Sequence, residues 1–135
     1  MRRLHFAVWL FASMACSALY AQSTTMEVNI PFDFRMGESL MPAGSYLVDY
    51  TPQVLKLREE HGSHAAIGLL NAVNRPTPPT NAVLEFTRYG NDYFFAKIWT
   101  PRSSQGGALP KTSLEKELAS RVMAPQRMEI ALHRK

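Results

Sequence analysis

Glu59, Glu60, His61 and His64 gather around one expected turn and have the chemistry of a metal site. Neutral imidazoles and carboxylates suit zinc or nickel. The H-x-x-H spacing lacks the helix that sets the histidines of zinc hydrolases on one face. Gly62 and Ser63 between them mark a solvated turn. The turn is therefore the preferred reading, with His61 and His64 kept as weak metal candidates and no cofactor assigned. Asp33 with Glu38, or Asp49 with Glu85, would supply a carboxylate pair for glycosidic hydrolysis if folding set them about 5–10 Å apart. Ordinary surface carboxylates are the plainer reading. Tyr89, Tyr93, Phe95 and Trp99 crowd one expected hairpin, and Tyr46 and Tyr50 share a face of an earlier strand. A solvent-facing aromatic row suits stacking on sugars or docking a protein, so the hairpin four are the candidate binding residues. Otherwise they fill a core. No G-x-S-x-G elbow, glycine-rich phosphate loop or H-E-x-x-H is present. Nothing pairs a serine with His61, His64 or His133, and no catalytic residue is assigned.

The elements that must position these residues are mostly strands. Glu27–Phe34 alternates, with Val28, Ile30, Phe32 and Phe34 on one face, and Pro31 puts it at an edge or bulge. Arg35–Gly44 reads as a long turn; within it Leu40-Met41-Pro42-Ala43-Gly44 resembles a sorting signal but lies far from the C-terminus. Ser45–Tyr50 and Val54–Glu59 alternate again. His64–Val73 is nearly all apolar, which predicts burial on both faces or a short run packed against a second layer. Arg75–Thr80 carries three prolines and reads as a stiff crossover between two sheets. Asn81–Tyr89 and Tyr93–Thr100 form the hairpin, turning at Gly90-Asn91-Asp92. In its second arm, simple alternation sets Phe94, Ala96 and Ile98 against Tyr93, Phe95 and Trp99. Pro101–Gly107 reads as loop. Thr112 and Glu115 form a capping box for a helix over 113–123, with Leu114, Leu118 and Val122 as its covering stripe. Residues 126–133 alternate as a last strand. The sum is a mainly β domain of about seven strands, an antiparallel sandwich or small partly open barrel, with one short C-terminal helix.

The first residues have the layout of a secretory signal peptide: Arg2-Arg3, an apolar run from Phe6 to Ala15, and small residues up to Ala21. That run is shorter than the roughly 20 residues needed to span a bilayer. The expected product is one domain of residues 22–135, periplasmic or extracellular. Cleavage after Ala18, or lipidation of Cys16, is the alternative processing. Cys16 is the only cysteine, so the exported domain has no thiol and no disulfide. Formal charge falls from +4 to +2 without Arg2 and Arg3. The remaining basic residues form no stripe, which argues against nucleic acid.

Val28-Asn29-Ile30-Pro31-Phe32-Asp33-Phe34, Met41-Pro42-Ala43-Gly44-Ser45-Tyr46, Arg88-Tyr89-Gly90-Asn91-Asp92-Tyr93-Phe94, Ile98-Trp99, Leu109-Pro110-Lys111 and Glu115-Lys116-Glu117-Leu118-Ala119 follow one another along the chain. In that order they resemble a family of small exported bacterial proteins of uncharacterised function. The resemblance implies an exported β-rich domain and transfers no site residue.

The expected function is a non-enzymatic structural or binding module of the cell envelope, with a protein or glycan as partner and no membrane span after signal cleavage. Two alternatives stand beside it. One is a small-ligand binder built on a barrel mouth; the other is a metal- or carboxylate-dependent hydrolase.

Overall fold

The computed structural model describes residues 25–135; the expected signal segment, with Cys16, lies outside them. The described residues form twelve strands and one helix. The strands are β1 (Thr25–Ile30), β2 (Phe34–Met36), β3 (Ser39–Met41), β4 (Gly44–Tyr50), β5 (Val54–Glu59), β6 (Ala65–Leu69), β7 (Asn71–Asn74), β8 (Val83–Tyr89), β9 (Asp92–Trp99) and β10 (Gln105–Ala108). After them come α1 (Ser113–Arg121), β11 (Gln126–Ala131) and β12 (His133–Arg134).

One sheet runs β12-β1-β4-β5-β6, antiparallel throughout. The other runs β11-β8-β9-β10-β7, and the β2–β3 hairpin joins it through a parallel contact of Arg35 with Phe94. The protein is a mainly β sandwich whose sheets do not close into a barrel. Alternation along the strands sends Val28, Ile30, Tyr46, Val48, Leu55 and Leu57 from the first sheet against Leu84, Phe86, Phe95 and Ile98 from the second, all nearly inaccessible to water. Phe34 and Met41 from the small hairpin fill the same core. The Tyr46 hydroxyl is satisfied inside it by donating to the Pro42 carbonyl oxygen.

Sequence and structure part where one residue redirects a strand. The apolar run 64–73 is two strands, not one: Leu70 is a buried corner from which β6 enters the first sheet and β7 the second. Leu132 does the same between β11 and β12, splitting the expected last strand. Each corner leucine keeps its backbone paired across the bend, through N–H bonds to Gln53 and Ala82 carbonyls of 2.8 Å each. The expected turn 35–44 contains the β2–β3 hairpin, and the expected loop 101–107 supplies most of β10. The proline crossover joins β7 to β8 within one sheet rather than linking two sheets.

Candidate functional site

The aromatic hairpin is built as expected at its turn, where Gly90 takes a φ of 63°. Its second arm is not. Glu85 pairs with Lys97 but Phe86 pairs with Phe95, so Ala96 is the extra residue of a β-bulge. The bulge flips the alternation: Tyr93, Phe95 and Ile98 turn to the core, while Phe94, Lys97 and Trp99 turn outward with Glu85 and Tyr89. The four candidate binding aromatics are therefore split between two faces. Tyr89, Phe95 and Trp99 are 2–3% exposed, which leaves no open row for a sugar or protein. Tyr93 is half-buried, with Phe32 stacked at 3.9 Å and the Arg88 guanidinium over its ring. Neither face is free for stacking. Tyr46 is fully buried, and burial raises the phenol pKa of Tyr50.

The outward aromatics instead organise two polar contacts. Trp99 lies against the backbone at Gly106, where a Cβ would come within 2.4 Å of the ring. The Arg75 guanidinium covers it at 5.1 Å, and its indole N–H donates to Glu85 Oε2 at 2.8 Å. Arg75 continues to Glu129 at 3.4 Å, directly opposite Glu85 in register. The second contact fixes the helix. Glu115 N–H donates to Thr112 Oγ1, as the capping pattern predicts. The Glu115 carboxylate, however, turns into the sheet and accepts the buried Tyr89 O–H at 3.2 Å. Burial raises the Glu115 pKa, and burial with the neighbouring carboxylate pushes the Tyr89 phenol up to about 12. Leu114 is 40% exposed, so it is not part of the covering stripe, and α1 ends at Arg121.

The hydrolase candidates do not converge. Asp49 and Glu85 lie on the outer faces of opposite sheets, beyond the roughly 10 Å that separates packed sheets. Asp33 accepts the Ala43 N–H at the base of the β2–β3 hairpin, whereas Glu38 is at its tip. At the β5–β6 turn, Glu59 accepts both the Nδ1–H and the backbone N–H of His64. Those hydrogen bonds lower the Glu59 pKa. His61 is exposed beside Glu60, which pairs with Lys135 instead. Among the described residues no three His, Cys, Asp or Glu side chains are grouped to hold a metal.

The most open chemistry lies on β6, the edge of the first sheet. Of the two readings of this apolar run, burial on both faces fails: only Ala66 and Gly68 turn inward. Ile67 and Leu69 are 68% and 71% exposed on the outer face. Beside them in register, exposed Lys56 and partly covered Val54 project from β5, with Arg58 beside Ala65. On this face β5 and β6 carry two cations and no carboxylate; the nearest carboxylate is Asp49 on β4, opposite Lys56 in register. The other four strand edges are guarded. Strand β12 is two residues long and basic, β11 alternates Arg127 and Glu129, β7 is bounded by asparagines and followed by Pro76, and β3, which pairs only with β2, is three residues long and followed by Pro42. Strand β6 pairs only with β5 and carries neither charge nor proline. Sequence alone missed it because an apolar strand reads as buried.

Comparison with family models, curated proteins and solved structures finds no match to this chain. No helix among the described residues is long and apolar enough to cross a membrane.

Proposed function

We propose that this protein is an exported, non-catalytic binding module of the cell envelope, which captures an extended segment of a partner protein on the open edge of β6. The observation that carries this reading is the unguarded edge strand with Ile67 and Leu69 exposed beside it. An incoming strand would satisfy the unpaired backbone groups and cover both side chains. Charge selects the occupant: Lys56 and Arg58 form no ion pair among the described residues. They favour a segment alternating apolar and acidic residues, and would repel each other's copies across a symmetric dimer. Export is supported by the leader-like first 21 residues and by the resemblance to small exported proteins.

Two synthetic peptides test the docking, one alternating valine with glutamate and the other valine with lysine. The acidic peptide should bind saturably and slow hydrogen exchange at the β6 amides facing away from β5; the basic one should not. Ile67→Lys with Leu69→Lys should weaken binding at least about ten-fold while changing stability by less than about 0.5 kcal/mol, because both sites are exposed. Equal binding of the two peptides overturns the reading. So does concentration-dependent self-association that protects the same amides. Mass spectrometry of the native protein tests export separately, and an intact Met1 end on the mature product contradicts it.

A further inference from the structure

Beyond the β6 edge, a cavity of about 420 Å³ opens near the Leu132 corner. It is bounded by the start of β1, the end of β4, the segments flanking β8 and β9, and the last strand. The volume is within the roughly 300–1,000 Å³ range of small-ligand sites. We propose that this cavity binds a small monocarboxylic acid with an apolar body.

The lining divides into two chemistries. Met26, Ala82 and Leu132 supply apolar surface, with Pro101 and the Tyr50 ring beside them. Asn81, Thr100 and Arg134 supply polar groups. Arg134 is the single charged residue of the lining, and no carboxylate joins it. Its guanidinium forms no ion pair among the described residues, so its fork of N–H donors is available. A guanidinium recognises a carboxylate through two parallel hydrogen bonds, and the Asn81 amide adds a further donor, while the Thr100 hydroxyl already donates to the Gln105 carbonyl oxygen. The apolar surface then favours a hydrocarbon body over a bare inorganic anion.

The recess lies beside this corner. At Leu132 the chain leaves the second sheet for the first, and its backbone is tied to Ala82. Met26, opposite Arg134 in the β1–β12 register, is only partly covered. A buried leucine that joins two sheets has an apolar recess beside it, with an arginine two residues later at the rim.

Titration of the ¹⁵N-labelled protein with benzoate, octanoate, benzyl alcohol and inorganic phosphate tests the assignment. Benzoate or octanoate should shift the amides of Met26, Ala82 and Leu132 saturably, with a Kd of about 1 mM or tighter. Benzyl alcohol and phosphate should each bind at least about ten-fold more weakly, since the first lacks the charge and the second the apolar body. Arg134→Gln should reduce carboxylate binding to the benzyl alcohol level with the melting temperature unchanged; Arg102→Gln, outside the lining, should alter nothing. No saturable shift with either carboxylate up to about 10 mM overturns the proposal. Phosphate or the alcohol binding as well as benzoate does so too, as does carboxylate binding that survives Arg134→Gln. These readouts are independent of the β6 peptides, so either site can fail alone.

Discussion

Glu115 occupies the third position of α1, where a capping pattern reads it as a surface residue, yet it is 4% exposed and accepts the Tyr89 hydroxyl. Burial raises its pKa above the unfolded value. Across the window between those two values the native chain holds a proton that the unfolded chain has released. This group's contribution therefore falls as pH rises through the window, the reverse of an exposed, hydrogen-bonded carboxylate such as Glu59. Glu115→Gln should remove that slope and leave the protein at least as stable at pH 7, as read by urea unfolding across a pH series. Tyr89→Phe takes the donor away from a buried carboxylate and should cost about 1–3 kcal/mol. The Thr112 cap was legible from residue spacing because it is local. The direction of the Glu115 side chain was not, since it depends on a tyrosine 26 residues earlier.

Strands carry the second set of lessons. An alternation count assigns faces correctly only while the ladder is regular. One extra residue at Ala96 exchanges Phe94 and Phe95 between the outer and inner faces of the sheet, Phe94 being buried on the outer one. The same outward face then needs Gly106, because Trp99 packs on its backbone. Gly106→Ala places a Cβ 2.4 Å from the indole and should destabilise by about 1–3 kcal/mol. The change should also perturb the fluorescence of Trp99, the one tryptophan after Ala21. Corners behave differently. Leu70→Ala and Leu132→Ala each empty a buried site where two sheets meet, and each should cost about 2–5 kcal/mol in denaturant unfolding. Neither corner interrupts the apolar pattern, so both strands read as continuous in sequence.

At the scale of the whole molecule, one continuous core links both sheets and the β2–β3 hairpin. The chain beyond Ala21 has no cysteine to reinforce it. The domain beyond Ala21 should therefore unfold in one cooperative transition, with fluorescence and circular dichroism midpoints coinciding. Its melting temperature should be the same with and without reductant. A shift with reductant would mean that Cys16 is retained and links two copies. The molecule also distributes its edges unequally, leaving β6 open while short length, charge or proline guards the others. Two surfaces of different chemistry are thus proposed as binding sites: the apolar β6 edge flanked by cations and the arginine-rimmed recess at the Leu132 corner.

The sequence by itself determined the mainly β class, the Gly90 hairpin, the Thr112-capped helix and the polar character of the His61–His64 turn. These depend on periodicity, glycine conformation and side-chain bonds within a few residues. Only the tertiary structure decided which aromatics are covered, that Asp49 and Glu85 lie on opposite sheets, and that Ile67 and Leu69 face water. The physical reason is the same in each case. A residue's type sets what it prefers, but strand order, one bulge and two corner leucines determine what lies across from it.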